Sequence, residues 1–217
     1  MVDAVIFDLD GVIVDSEPVW ERVRREYVGE HGGAWKADSQ RRLMGMSTNE
    51  WSTYLSDELH VDRTPKEVAS DVVGRMARAY TSRVPLIPGA TEAVGRLGRR
   101  WRLGLASSSP VSLIKTALDA AGLGDAFEVV LSTEDVLAGK PAPDVYLAVA
   151  ERLGVDPAHC VAIEDSSNGV RSAAAAGMAV IAVPHNAYPL DADAAGKVVR
   201  AVPTLDVLTA DDVAALD

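Results

Sequence analysis

The run Val5-Ile6-Phe7-Asp8-Leu9-Asp10-Gly11-Val12-Ile13-Val14-Asp15 sets two carboxylates two residues apart at the end of a short apolar stretch. A buried strand would release the chain there. Residues i and i+2 of a strand share a face, so the spacing predicts that Asp8 and Asp10 point the same way at the carboxyl edge of a sheet, where open α/β sheets bind ligands. Phosphoryl transfer is the chemistry this suits. One carboxylate is a competent nucleophile toward phosphorus, and a second, protonated one can donate to the leaving oxygen and later activate water. The segment has another reading: Asp10-Gly11 between two apolar runs is also a β-hairpin signal, in which the acidic residues serve only the turn.

Three further polar sites fall where apolar runs hand over to helical patterns. Ser107 closes WRLGLAS and is followed by Ser108, Ser109 and Pro110, so hydroxyls and helix-start amides there suit phosphate oxygens; a serine at such a place also serves as a plain helix cap. Lys140 lies in Gly139-Lys140-Pro141-Ala142-Pro143-Asp144, where two prolines restrict the backbone. An isolated lysine usually faces solvent, but in this setting it would offset the charge of a phosphate and of Asp8. Glu164-Asp165 ends the apolar run CVAIED. Adjacent carboxylates repel unless a cation intervenes, and magnesium is the natural choice, since it takes hard oxygen ligands and keeps water and phosphate in its shell. Without a cation, Asp165 reads as an N-cap for the helix that Ser166-Ser167-Asn168-Gly169 opens.

The elements that must hold these groups follow from periodicity. From Trp101 onward, the runs WRLGLAS, FEVVLS, CVAIED and MAVIAVP alternate with helical segments 111–121, 144–153 and 168–176, and Gly122, Gly154 and Gly177 fall where those helices should stop. Ala173 to Ala176 reads as a tightly packed helix. This alternation predicts an α/β fold with a doubly wound, Rossmann-like parallel sheet. The tail VVRAVPTLDVLTADDVAALD adds a short strand and a helix that Thr209 caps. Residues 16–82 are different: strand runs vanish and helical spacing takes over, which predicts a helical unit inserted between core segments 1–15 and 83–217. Trp20, Val23, Tyr27 and Val28 share one helix face; so do Trp51, Tyr54, Leu55 and Leu59, and then Val68, Val72, Val73, Met76 and Tyr80. Pro18 and Pro65 suit helix starts, the aromatic stripe reads as core, and the crossings near Val14 to Glu17 and Thr81 to Pro88 read as hinges.

Composition narrows the function classes. The 217 residues are 48% apolar, enough for a substantial core, and carry a formal net charge of −11, which opposes attraction to nucleic acid or to an anionic membrane. An anionic substrate would need a local positive pocket. The single cysteine, Cys160, sits in an apolar run, which predicts a buried strand thiol and a reducing compartment. With no basic leader and no apolar stretch of spanning length, the expectation is a cytoplasmic protein. His31, His60, His159 and His185 lack metal-ligand spacing and are assigned no chemistry.

Taken together, Asp8-x-Asp10-Gly11, Ser107, Lys140 and Glu164-Asp165 resemble the four motifs of the haloacid dehalogenase superfamily in order and spacing, over nearly the whole chain, and the helical insert is similar to that family's helical cap. The resemblance implies a magnesium-dependent enzyme. Asp8 would be the nucleophile that forms an aspartyl-phosphate, Asp10 the acid/base, and Ser107, Ser108, Gly11 and Lys140 the groups around the transferring phosphoryl. Asp8, Asp10 through its main-chain carbonyl, Asp165 and Glu164 would hold the metal. An aspartate at position 10 separates the chain from the dehalogenases and phosphate-pumping ATPases of the superfamily, which lack it.

Within that superfamily the opening DGVIVDSEP resembles the β-phosphoglucomutase and sugar-phosphatase branch. Mutases must hold a bisphosphate, which calls for cations remote from the nucleophile. Where the β-phosphoglucomutases carry a histidine, a lysine, an arginine and a second lysine, this chain has Trp20, Met44, Thr48 and Pro110. The expectation is therefore a phosphatase of small phosphorylated metabolites, sugar or polyol phosphates, with Glu17, Trp20 and the loop Met44 to Asn49 shaping the pocket, and Arg41 and Arg42 on a solvated face. A sugar phosphomutase and a noncatalytic binder of phosphometabolites are the alternatives. No nucleic-acid or membrane partner is expected, and the chain should be a monomer or weak homodimer.

Overall fold

The computed structural model describes residues 1–43, 46–184 and 189–216; Met44 and His185 lie outside them. Six parallel strands, β1 (Ala4–Phe7), β2 (Arg102–Ser107), β3 (Val129–Ser132), β4 (Cys160–Glu164), β5 (Ala179–Ala182) and β6 (Arg200–Ala201), form one sheet in the order β3-β2-β1-β4-β5-β6. This is the doubly wound topology read from the sequence, and its winding reverses between β1 and β4, where such sheets open a ligand crevice. Because β1 pairs in parallel on both sides, the hairpin reading of Asp10-Gly11 is excluded.

Alternation along the strands divides the core in two. Val5, Phe7, Leu103, Leu105, Val161 and Ile163 face one layer, while Ala4, Ile6, Ala106, Cys160 and Ala162 face the other, as the period of two requires. Helices α7 (Asp144–Leu153) and α8 (Ser167–Ala175) cover the second face. On the first face lie α5 (Ala90–Leu97), α6 (Val111–Ala121) and α10 (Ala210–Ala214). Thr209 caps α10 through a reciprocal bond pair with Asp212, and Cys160 is a buried free thiol. Helix α5 and the short α9 (Ala192–Ala195) have too few periodic positions to stand out in the sequence.

Between β1 and β2 the chain is helical before α5: α1 (Glu17–Glu30), α2 (Ser39–Leu43), α3 (Thr48–Thr53), a π-helical turn over Tyr54–Glu58, and α4 (Pro65–Ser82). Thr64 starts α4 with a capping box to Glu67, and Pro65 occupies the first turn. The aromatic stripes pack inward: Tyr27, Trp51, Tyr54 and Tyr80 are buried. The two crossings run side by side, tied by Asp15 N–H to the Pro85 carbonyl at 2.7 Å and Ile87 N–H to the Ile13 carbonyl at 2.9 Å. Among the described residues, no helix is long and apolar enough to cross a membrane.

One close approach sets the spacing of α7 from the sheet. A Cβ on Gly104 would stand 2.5 Å from Val149 Cγ1, a fully buried side chain that cannot swing away. Gly104→Ala should therefore destabilise the fold by about 1–3 kcal/mol through overpacking, read as a lower urea midpoint at unchanged slope. Adding Val149→Ala should recover part of that loss; strict additivity of the two changes would contradict the contact.

Candidate active site

Register brings the reactive groups to one edge. Phe7 pairs with Leu105 and with Ile163, so the next residues on the three central strands, Asp8, Ala106 and Glu164, emerge side by side. Asp8 continues the ladder by donating its N–H to the Ile163 carbonyl at 3.0 Å. Strand β1 itself stops at Phe7, so the period-two argument does not extend to Asp10. A bend does the work instead: Gly11 at φ +78° turns the chain, and Ile13 N–H closes on the Leu9 carbonyl at 2.8 Å. Asp8, Asp10 and Gly11 then line one cavity of about 560 Å³ with Ser108, Ser109, Lys140 and Asp165.

Lys140 is the electrostatic centre. Its Nζ, buried, donates to Asp8 Oδ1 at 2.8 Å, Glu164 Oε1 at 2.6 Å and the Ala106 carbonyl at 3.1 Å. Burial works against the ammonium, but the Asp8 and Glu164 carboxylates hold its pKa above the ordinary lysine value. Glu164 is fully buried and both of its oxygens are engaged. Oε1 also accepts from Tyr146 Oη at 2.7 Å, and Oε2 accepts from Ser166 Oγ at 3.1 Å. Gly169 makes room for it, since a Cβ there would stand 1.8 Å from Oε1.

Three carboxylates, Asp8, Glu164 and Asp165, each offer an oxygen within 4.8 Å of the others. Against one ammonium, this cluster lacks two positive charges. The strain appears in the titration: burial, partly offset by Lys140, pushes Asp8 from 3.8 up to about 8, and burial with the charges of Glu164 and Asp8 raises Asp165 as well. Asp165 Oδ1 is buried with no hydrogen-bond partner, a costly state for a carboxylate unless a cation meets it. Gly11 admits this side chain, for a Cβ on it would fall 1.9 Å from Asp165 Oδ2. The residues fit a hard divalent cation: oxygen donors only, an excess of negative charge, and an orphaned carboxylate oxygen.

Asp10 is aimed by two hydroxyls, Ser109 Oγ at 2.8 Å and Ser107 Oγ at 3.3 Å from its Oδ2. Ser107 is fully buried; its Oγ also accepts from Ser109 N–H at 3.0 Å, so it backs Asp10 while Ser108 and Ser109 face the cavity. Glu17 and Trp20 line the cavity as the sequence reading has it, and of the loop Met44 to Asn49, Met46 lines it too. Thr48 Oγ1 donates to Glu134 Oε1 at 3.2 Å, joining α3 to the segment after β3.

Cations besides Lys140 line the cavity: Arg24, given no role in the sequence reading, is buried there, and Arg41, exposed as expected, and Arg171 border it as well. Arg42 instead stacks over Tyr54, 4.6 Å from its ring centre. Arg24 had a signal, because it follows Trp20 by four residues and precedes Val28 by four, inside the apolar stripe of α1. Tyr146 had none; a tyrosine on an amphipathic helix reads as packing.

Comparison with known proteins agrees with this geometry. The haloacid dehalogenase-like hydrolase family matches residues 2–177. The chain is 37% identical over 188 residues to hexitol phosphatase B of Escherichia coli (strain K12), covering 83% of each. It is 33% identical over 178 residues to the phosphorylated carbohydrates phosphatase of Thermotoga maritima, covering 82% of each. The crystal structure of CbbY from Rhodobacter sphaeroides in complex with phosphate superimposes with a TM-score of 0.87 at 23% identity, covering 99% of this chain and 100% of that one, which speaks to the fold. With its sheet order, its strand-edge carboxylates and this match in hand, the chain belongs to the haloacid dehalogenase-like hydrolases.

Proposed function

We propose that this protein is a magnesium-dependent phosphatase of small phosphorylated carbohydrates, sugar or polyol phosphates, working through an aspartyl-phosphate on Asp8. One observation carries the reading: Asp8, 6% exposed, reaches the floor of a cavity with its carboxylate held by Lys140 at 2.8 Å and within metal-sharing distance of Asp165. The similarity to hexitol phosphatase B and the phosphorylated carbohydrates phosphatase supports the substrate class.

In the first step an Asp8 carboxylate oxygen attacks phosphorus, a P–O bond forms, and the bond to the ester oxygen breaks. Asp10 gives its proton to that leaving oxygen, so the product departs as a neutral alcohol. In the second step Asp10, now a carboxylate, takes a proton from water as the water oxygen attacks phosphorus, and Asp8 is released with inorganic phosphate. Ser107 and Ser109 fix Asp10 for both transfers. Lys140 steadies Asp8 and the equatorial oxygens of the phosphoryl group, and Ser108 lies on the wall of the same cavity. Asp8, Asp165 and the main-chain carbonyl of Asp10 would hold the magnesium ion, with Glu164 adding charge while its own hydrogen bonds position Lys140. Bound there, the ion neutralises the excess negative charge of the cluster and favours ionised Asp8. Residues 16–82, carrying Glu17 and Trp20, would act as a cap that shuts bulk water out during transfer.

Phosphate release from a panel of phosphorylated metabolites, with magnesium and with chelator, tests this directly. Turnover only with the ion is the expected result; equal turnover in excess chelator would remove the metal from the scheme. Asp8→Asn should lower kcat by roughly four orders of magnitude or more with an unchanged circular dichroism spectrum, and substantial residual activity would rule Asp8 out as nucleophile. A sugar bisphosphate that primes interconversion of sugar phosphates faster than phosphate is released would turn the assignment to a mutase.

The charge cluster also predicts a stability signature. Since Asp8 is raised from 3.8 to about 8 by burial, ionising it costs the folded chain more than the unfolded one. That contribution to stability is intact below about pH 4 and is lost as pH rises toward about 8. In chelator, Asp8→Asn should therefore exceed the parent in stability by a margin that grows between about pH 5 and about pH 8. Saturating magnesium, worth roughly 2.7 kcal/mol at a hundredfold excess over Kd, should raise the melting temperature of the parent, and Asp165→Asn should abolish that rise. A flat margin, or an Asp165→Asn protein that still responds, would show that the ion binds elsewhere.

A further inference from the structure

Arg24 is the one buried arginine among the described residues, 4% exposed, and it lines the same cavity as Asp8. Its guanidinium carbon stands 4.3 Å from the ring centre of Trp20 and 5.1 Å from that of Trp51. The two rings also touch each other, their centres 5.8 Å apart and tilted by 57°, so they back the guanidinium from one side and offer no acceptor to the donors in its plane. Its Nε is buried without a partner, and among the described residues no carboxylate forms an ion pair with the group. Arginines at the surface are better served. Arg102 pairs with Glu128 at 2.6 Å, and Arg171 pairs with Asp191 and Asp193, each at 2.6 Å. Glu17 is the carboxylate whose charge acts most strongly on Arg24, yet it lies beyond ion-pair distance and accepts instead from Gln40 Nε2 at 2.6 Å.

A desolvated cation that its own chain leaves unpaired is costly, and the cost is recovered when an anion arrives. The reacting phosphoryl group is already served by Lys140, from the turn before α7. Arg24 sits on α1, with Arg41 on α2 as a second cation on the cavity wall. Planar forked donors backed by two rings suit a planar or tetrahedral oxyanion better than a single hydroxyl.

We infer that Arg24, backed by Trp20 and Trp51, recognises an oxyanion at the end of the substrate remote from the transferred phosphoryl group. This rests on the phosphatase reading and narrows its substrates to phosphate esters that carry a second acidic group, a carboxylate or another phosphate. The pocket is large enough for such a ligand, being within the usual size of small-molecule sites, roughly 300–1,000 Å³.

Three six-carbon esters that differ at the remote end separate the outcomes: an alditol 6-phosphate, the matching aldonate 6-phosphate, and a hexose 1,6-bisphosphate. The parent enzyme should show kcat/KM for at least one acidic ester on the order of tenfold to hundredfold above the alditol ester. Arg24→Met, which keeps an apolar stem against the two rings, should collapse that ratio toward one, and Arg24→Lys should leave it intermediate because the charge remains without the fork. A merely structural role would lower both substrates together and leave the ratio alone. The carboxylate and bisphosphate arms tell which oxyanion is read. Preference for the alditol ester, or a ratio that Arg24→Met does not move, overturns the inference and leaves the phosphatase reading standing. No phosphate release from any of the three, nor from p-nitrophenyl phosphate, removes both.

Discussion

The ammonium of Lys140, shared between Asp8 and Glu164, is the interaction on which the site depends. Burying one cation between two carboxylates is a poor way to stabilise a protein, because desolvation consumes most of the Coulomb gain. It does fix geometry. With donors to Asp8, Glu164 and the Ala106 carbonyl, Lys140 ties together the ends of β1, β2 and β4, the three strands at the reversal of winding. Tyr146 from α7 and Ser166 from the start of α8 then pin Glu164 from either side. Helices covering the sheet thus orient the lysine that orients Asp8. Gly169 and Gly11 belong to the same device, because each leaves a Cβ-sized gap that a carboxylate fills.

What the arrangement does not do is balance its charge. Asp8, Glu164 and Asp165 outnumber Lys140, and burial, reinforced by the neighbouring carboxylates, raises the pKa values of Asp8 and Asp165. A site that is electrostatically incomplete alone is pre-organised for what completes it, since little reorganisation is needed when positive charge arrives. The same incompleteness recurs at Arg24 with the opposite sign. The cavity therefore has an acidic floor and a cationic wall, and an overall charge of −11 describes neither.

Much of this was legible in the sequence, for identifiable reasons. The α/β alternation, the six-strand core and helices 111–121 and 144–153 follow from period-two and period-3.6 signals that burial enforces strongly. Asp8, Lys140, Glu164 and Asp165 were legible because strand ends and proline-flanked turns leave few other places for a charge. Asp10 reached its position by another route, through the Gly11 bend rather than strand alternation. Tyr146 and the inward turn of Ser107 were not legible, since the first depends on a tertiary partner 18 positions away and the second on a hydroxyl's choice among neighbours. Arg24 stood in plain view inside an apolar stripe, where a charge is expensive enough to require a reason.

The division of labour between core and helical unit follows from how they are joined. Of the groups proposed to act on phosphorus, Asp8 continues the β1 ladder, Asp10 is set by the Gly11 bend, and Lys140, from the turn before α7, is fixed by its bonds to Asp8, Glu164 and the Ala106 carbonyl. The groups proposed to face the rest of the substrate, Glu17, Trp20, Arg24 and Arg41, sit on α1 and α2, reached through two crossings that bond to each other at Asp15–Pro85 and Ile13–Ile87. Substitutions on α1 and α2 can then change which remote group is bound without disturbing the carboxylates, and a cation such as Arg24 can be placed there at no cost to the charge balance around Asp8.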